Sequence, residues 1–235
     1  MTGSRGPDSI RLSRAHFPVT ALGPGRRLGI WVQGCHIACP GCMSRDTWST
    51  SGGGVQQLDA VTAAWLTARR QGATGVTVSG GEPAEQAGAV AEMVRRIRLA
   101  DAAWADGVVS GAAGTAPAPL DVLIFSGLDE MPFRAACPEL VASADAVMAG
   151  PFDITQPTSL IWRGSANQRL VTFTELGAER YGPYLDAETH SPAMQFVVDD
   201  DRIWTIGIPR IGDLPALERR LRELGVAVGG VSWRP

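Results

Sequence analysis

The 235-residue chain contains no lysine; all 21 of its basic side chains are arginine, set against 24 acidic ones for a net charge of -3. That balance excludes a broad nucleic-acid or polybasic membrane surface, because such binding is driven by dense cationic charge and counterion release. No apolar run reaches the roughly 20 residues that a membrane-spanning helix needs, so neither nucleic acid nor membrane is expected as a partner. The opening MTGSRGPDSIR has no hydrophobic signal-peptide core, and a cytoplasmic location is expected. Histidine is reduced to His16, His36 and His190, and no Ser-His-Asp set or pair of catalytic carboxylates can be assembled. Cysteine is limited to four, which leaves no room for additional cysteine-rich cluster domains. One of the four, Cys137 in RAACPEL, stands far from the rest and reads as a buried or helix-terminal thiol.

The other three stand together. Cys35, Cys39 and Cys42 in GIWVQGCHIACPGCMSRDTW place three thiols within eight residues. Thiolates are soft ligands suited to iron-sulfur clusters or zinc, and a cubane cluster held by three protein sulfurs keeps one iron free for an outside ligand. Pro40 fixes one backbone angle, while Gly34 and Gly41 let the loop turn sharply around the sulfurs. A zinc site with His36 as fourth ligand uses the same donors. Either centre requires a reducing compartment to keep the thiols available.

Forty residues on, GVTVSGGEP (Gly75 to Pro83) runs an apolar strand into a Gly-Gly turn bearing a carboxylate. Alone this reads equally as a turn that starts a helix at Pro83. Together with the cysteine loop it resembles the radical S-adenosylmethionine (SAM) superfamily, and within it the activating proteins of glycyl radical enzymes. Four stretches carry the resemblance: LGPGRRLGIWVQGC (Leu22 to Cys35), CPGCMSRDTW (Cys39 to Trp48), VSGGEP (Val78 to Pro83) and WRGSANQR (Trp162 to Arg169). Departures are also visible, because His36 is adjacent to Cys35 where the family commonly has a histidine one position later, and Met43-Ser44 replace an aromatic and Asn.

The resemblance implies one 4Fe-4S cluster on Cys35, Cys39 and Cys42, with SAM on the remaining iron. It implies cofactor contacts from Gly41, Ser79, Gly80, Gly81, Glu82 and Ser126, with Glu82 facing the methionyl ammonium, and from Arg163, Asn167 and Gln168. The activity implied is reductive cleavage of SAM to a 5'-deoxyadenosyl radical that abstracts hydrogen from a glycine of a partner protein, with electrons from a flavodoxin or ferredoxin. Two other functions share these features: a radical SAM enzyme acting on another peptide or a small molecule, and a non-catalytic zinc or iron-sulfur module.

Along the chain, strands and helices alternate, which predicts an α/β fold of parallel strands with right-handed crossovers. Strands are expected at Arg27 to Gln33, Val76 to Ser79, Asp121 to Phe125, Ala146 to Ala149 and Leu170 to Phe173, after an irregular or hairpin lead-in at residues 9 to 22. Helices are expected at residues 55 to 71 and Ala84 to Ala103, with Arg95, Arg96 and Arg98 toward solvent and residues 105 to 119 as a loop. Gly150 to Pro157 is turn-rich and suited to a lid. From about His190 the pattern changes to a hairpin turning at Asp199 to Asp201, a helix from Leu214 to Gly225 and a closing strand at VAVGGVSW. The expectation is therefore a partial, open β/α barrel of radical SAM type over residues 1–190, with a small C-terminal β/α extension over 191–235.

Overall fold

The computed structural model describes residues 7–111, 117–198, 203–226 and Gly229. Its frame is a seven-stranded sheet in the order β3-β1-β2-β4-β5-β6-β7. Four strands lie side by side in parallel: β2 (Arg27–Val32), β4 (Gly75–Gly80), β5 (Asp121–Ser126) and β6 (Ala146–Ala149). The expected mixed α/β, parallel-rich sheet is thus what the chain adopts. The flanks differ. The lead-in forms a full strand, β1 (Ser9–Val19), antiparallel to β2; β3 (Gly54–Gln57) adds antiparallel to β1 at the edge, and β7 (Arg169–Thr172) runs antiparallel to β6. β7 follows β6 without an intervening helix, the element that usually carries a crossover between parallel strands.

Strand alternation divides the core in two. Leu28, Ile30, Val32, Val76, Val78, Val122, Ile124 and Val147 face the helices, with α1 (Leu58–Arg70), α2 (Ala87–Gly111) and α4 (Pro138–Ser143) packed over them. In α1 the buried Leu58, Val61, Trp65 and Ala68 fall at helical spacing, and in α2 Val90, Met93, Val94 and Ile97 do the same. α2 continues to Gly111, so the first part of the segment expected as a loop is helical, an extension of a helix anchored upstream by its buried face and one that its own Gly, Val, Asp and Ser residues do not favour. Residues 112–116 lie outside the described residues, as do the acidic turn at 199–202 and most of VAVGGVSW. Arg95 and Arg96 do pair at the surface, but Arg98 donates to Asp145 Oδ2 (2.7 Å) and Ser143 O (3.0 Å), tying α2 to the start of β6. Cys137 is buried between α3 (Glu130–Ala136) and α4, ending one and capping the other.

The opposite face carries Trp31, Leu123, Phe125 and Met148. It is covered by Trp162, Tyr181 and the C-terminal hairpin of β8 (Met194–Val198) and β9 (Ile203–Gly207). Gln195 holds the hairpin in place: its Oε1 accepts the Thr20 and Ala21 N–H groups (2.7 and 3.1 Å) and its Nε2 donates to Pro18 O (3.0 Å). Trp204 meets Trp31 edge to face at 4.8 Å. A further helix, α6 (Asp213–Glu223), follows and ends before Gly225 at φ +79°. At the N-terminal end of the parallel strands, the fully buried Arg27 and Asp121 form an ion pair at 2.8 Å, with Arg27 Nη2 also donating to Tyr181 OH (2.9 Å).

Candidate metal centre

The site is assembled from the segments that leave the C-terminal ends of β2, β4, β5 and β6. After β2, the cysteine loop is tied at its neck. Gly34 N–H donates to Thr47 O (2.7 Å) and Cys35 N–H to Trp48 O (3.0 Å). The buried Gln33 donates from Nε2 to Asp46 O (3.1 Å) and Ser49 O (2.8 Å). Within the loop, Gly41 at φ +80° and Ala38 at φ +50° turn the chain. The alanine conformation costs roughly 1–2 kcal/mol, a strain held by the closed neck.

All three cysteines are free and half-buried. Backbone N–H groups of Ile37 and Ala38 reach the Cys35 sulfur, the Phe152 N–H reaches that of Cys39, and Ser44 N–H donates to Cys42 Sγ at 3.4 Å. Burial pushes the Cys35 and Cys39 thiols up, and the N–H donors partly offset it. Donors aimed at sulfur are what a cluster-bound thiolate, rich in negative charge, would need. His36 is exposed and engaged elsewhere: its N–H donates to Glu85 Oε1 (2.6 Å) and its Nδ1 lies 2.8 Å from Glu85 Oε2. Among the described residues no three His, Cys, Asp or Glu side chains gather tightly enough for a single metal ion.

The SGGE turn after β4 presses directly on this loop. Gly81 N–H donates to Val32 O (2.8 Å) and Glu82 N–H to Gly34 O (2.7 Å), one residue before Cys35. A Cβ on Gly80 would lie 2.6 Å from Val32 O, and one on Gly81 would lie 2.1 Å from Gly34 O. Close backbone approach, not only ligand access, therefore requires both glycines. Gly81→Ala is expected to lower stability by about 1–3 kcal/mol, a few degrees in Tm. Thermal unfolding followed by circular dichroism checks this, and an unchanged Tm would refute the tight contact.

Glu82 joins the turn after β4 to the turn after β5. It is 3% exposed; Oε1 accepts Ser126 Oγ–H (2.8 Å) and Ala84 N–H (2.9 Å), and Oε2 accepts Gly127 N–H (2.7 Å). Burial raises its pKa against the pull of these three bonds. A carboxylate has about four lone-pair directions, so one is left for a further donor. Ser79, half-buried, is opposite Trp31 on the same rim. Ile37 of the cysteine loop lies over Gly127, where an added Cβ would come within 2.7 Å of its Cδ1.

The segment after β6 closes the remaining side. A Cβ on Gly41 would meet Ile154 Cδ1 at 2.7 Å and Phe152 Cε1 at 3.3 Å, so Gly150 to Pro157 lies against the cysteine loop. The WRGSANQR stretch stands behind it. Asn167 Nδ2 donates to Pro151 O (2.8 Å) and Gln168 Nε2 to Gly150 O (3.0 Å). Gln168 Oε1 accepts Gly164 and Ser165 N–H groups (2.8 and 3.3 Å), which commits that side chain to shaping its own loop. The buried Asn167 Oδ1 has no partner, and Arg163 is buried with a single bond, from Nη2 to Leu185 O (2.6 Å). Sequence reasoning missed Gln33 and Gln86, which fasten the loop to β1; Gln86 Nε2 donates to both Arg11 O and Gln33 O (2.9 Å each). The signal for Gln33 was a lone amide at the end of an otherwise apolar strand.

The model of the 4Fe-4S single cluster domain family matches residues 21–171, which is more than half of the chain and spans every segment of this rim. The anaerobic ribonucleoside-triphosphate reductase-activating protein of Escherichia coli K12 is 31% identical over 163 residues, 65% of this chain and 93% of that protein. The chain belongs to this activating-protein family. Its counterpart from Vibrio cholerae is 29% identical over 165 residues, 68% of this chain and 96% of the relative, and that of Enterobacteria phage T4 is 26% identical over 153 residues, 65% and 88%. As a member of the activating-protein family it is an iron-sulfur enzyme of the radical-generating, oxidoreductase type. The family region ends at residue 171, so α5 (Glu175–Tyr181), the hairpin and α6 are additional to it. Among the described residues no helix is long and apolar enough to cross a membrane.

Proposed function

We propose that this enzyme binds one 4Fe-4S cluster through Cys35, Cys39 and Cys42 and SAM beside it, and generates a glycyl radical on an anaerobic ribonucleotide reductase. The observation that carries the reading is the bonding of three rim segments to one another: the Gly34 carbonyl beside Cys35 holds Glu82, and Glu82 holds Ser126 and Gly127. When bound, the cluster and SAM supply a one-electron reductive cleavage that yields methionine and a 5'-deoxyadenosyl radical able to take hydrogen from a glycine.

The chain's own residues orient and enclose. Gly41, Ser79, Gly80 and Gly81 provide close backbone approach, Glu82 retains one lone pair for an ammonium, and Ser126 fixes the carboxylate. Asn167, with its free Oδ1, is the candidate contact for the nucleoside, and Gln168 positions the loop that bears it. Phe152 and Ile154 pack against Gly41 of the cysteine loop. No general acid or base is required. The strand order suits a partial barrel with residues 1–190 as the catalytic core and 191–235 as an extension covering its second face. The electron donor is a low-potential flavodoxin or ferredoxin, and the compartment is the cytoplasm.

The test is anaerobic reconstitution followed by SAM, dithionite and the reductase. We expect 5'-deoxyadenosine and an organic radical signal on the reductase. Nucleoside without that signal would redirect the reading to another peptide or small molecule; neither product would reject it. Glu82→Gln is expected to weaken SAM binding about tenfold while the cluster content stays unchanged, since a charge-assisted bond is replaced by a neutral one. Equilibrium binding of SAM to the reconstituted variant measures this, and unaltered affinity would remove Glu82 from the cofactor site.

A further inference from the structure

The C-terminal hairpin, which lies beyond the family region that ends at residue 171, reaches the cysteine loop through one arginine. Trp204 of β9 stands against β1 and β2, edge to face with Trp31 at 4.8 Å and with His16 at 5.4 Å. Arg14, opposite Trp31 in the ladder between β1 and β2, places its guanidinium carbon 5.0 Å from the centroid of the Trp204 ring. The same guanidinium pairs through Nη2 with the Asp46 carboxylate, and its Nε donates to Ser13 Oγ (3.2 Å). Asp46 belongs to the single helical turn Arg45–Thr47 that closes the cysteine loop. Its carbonyl accepts from Gln33 Nε2 (3.1 Å), and the next carbonyl, that of Thr47, accepts from Gly34 N–H (2.7 Å). One cation is thus shared between a ring of the added hairpin and a carboxylate at the neck of the loop that bears Cys35, Cys39 and Cys42.

We propose that Trp204 and Arg14 are positioning residues of the metal centre: the added hairpin braces the cysteine loop in its cluster-binding form through the path from Trp204 to Arg14 to Asp46. The inference rests on the reading that Cys35, Cys39 and Cys42 hold the cluster. A partly exposed ion pair holds two mobile side chains weakly by itself. The face of an aromatic ring attracts the cation without using its N–H donors, which stay free for the carboxylate. The ring must itself be fixed for this to help, and Trp204 is held between Trp31 and His16 on a hairpin that Gln195 fastens to Pro18, Thr20 and Ala21. The C-terminal extension is therefore a working part of the cluster site, although it supplies no ligand to it.

Release of iron from the full-length, anaerobically reconstituted protein into excess chelator tests the brace. Trp204→Leu and Asp46→Asn are each expected to release iron about fivefold faster than the parent, the size of effect that one cation-ring or ion-pair contact can carry. The double variant should exceed either single one by no more than about twofold, since both act through Arg14. Trp204→Phe, which keeps a ring face for the cation, should stay within about twofold of the parent. Unchanged release in Trp204→Leu and Asp46→Asn, effects that multiply in the double variant, or a Trp204→Phe rate equal to that of Trp204→Leu would overturn the proposal. Hydrogen exchange of the same proteins before reconstitution gives a readout that needs no cluster. The Gly34 and Cys35 amides, bonded to Thr47 O and Trp48 O, should exchange faster in Trp204→Leu and Asp46→Asn while β4, β5 and β6 keep their protection. Loss of protection in those strands as well would mean that Trp204→Leu fails to fold, and Asp46→Asn, at an exposed position, then decides the matter. A parent protein that takes up no iron would reject the cluster reading, and the exchange result alone would then uphold or reject the brace.

Discussion

Cys39→Ala is expected to yield a folded protein that holds little iron and forms 5'-deoxyadenosine at background, at least about 100-fold below the parent. Even outer partners of metal ligands cost 10–100-fold when removed, and a direct ligand should exceed that. The fold should survive because Cys39 is half-buried on a loop whose neck is tied by Gly34, Cys35, Thr47 and Trp48, none of which depends on the Cys39 side chain. Cys35→Ala and Cys42→Ala should behave alike. Cys137→Ala is the informative control: that thiol is buried between α3 and α4, in the helix layer of the core, and its removal should leave roughly four irons per chain and normal nucleoside formation. Iron and sulfide analysis with chromatographic assay of the nucleoside checks all four variants. Equal loss in Cys137→Ala would show that the effect is misfolding rather than loss of a ligand.

The largest expected effect on stability lies at the other end of the sheet. Asp121→Ala would leave Arg27, which is 0% exposed, without its counter-charge while its Nε still bonds Thr77 Oγ1 (2.6 Å) and its Nη2 bonds Val76 O (2.7 Å). Breaking a buried pair by removing one partner costs about 3–5 kcal/mol, which for a chain of this size lowers Tm by roughly 10 °C. The double variant Arg27→Met, Asp121→Leu is expected to recover much of the loss, because no charge is then left uncompensated. Urea unfolding measures both. A single-variant cost under about 1 kcal/mol would mean that water or Tyr181, whose hydroxyl donates to Asp121, compensates the pair. The cysteines should still assemble their cluster in folded Asp121→Ala, since Arg27 and Asp121 begin their strands and the rim is at the strand ends.

Legibility in the sequence followed the locality of each interaction. The parallel strands were readable because both of their faces are buried, giving short apolar runs such as VTVS and DVLIF between helical patterns. β6 was placed at its observed limits for the same reason. β3 was missed because three of the four residues from Gly54 to Gln57 are glycine or amide, and the segment is a strand only through its pairing with β1, more than forty residues earlier. The direction of β7 was missed because antiparallel return depends on the length and path of the 150–168 connection, which carries no periodic signal. At the site, the spacing of the cysteines and the resemblance that they share with the Gly-Gly turn singled these residues out. What could not be read was that Glu82 spends three lone pairs on Ala84, Ser126 and Gly127, or that Gly81 is required by Gly34 O; both depend on how two distant turns meet. Arg163 illustrates the same limit, since its missing partners are visible only once its neighbours are in place.

Whether the cysteine loop holds an open cluster that accepts SAM is decided most directly by electron paramagnetic resonance of the anaerobically reconstituted, dithionite-reduced protein, recorded with and without SAM. A reduced 4Fe-4S signal whose g-values shift when SAM is added is the predicted result, because the added ligand binds an iron that the three cysteines leave free. A spectrum indifferent to SAM, or a silent sample containing one zinc per chain, would contradict it.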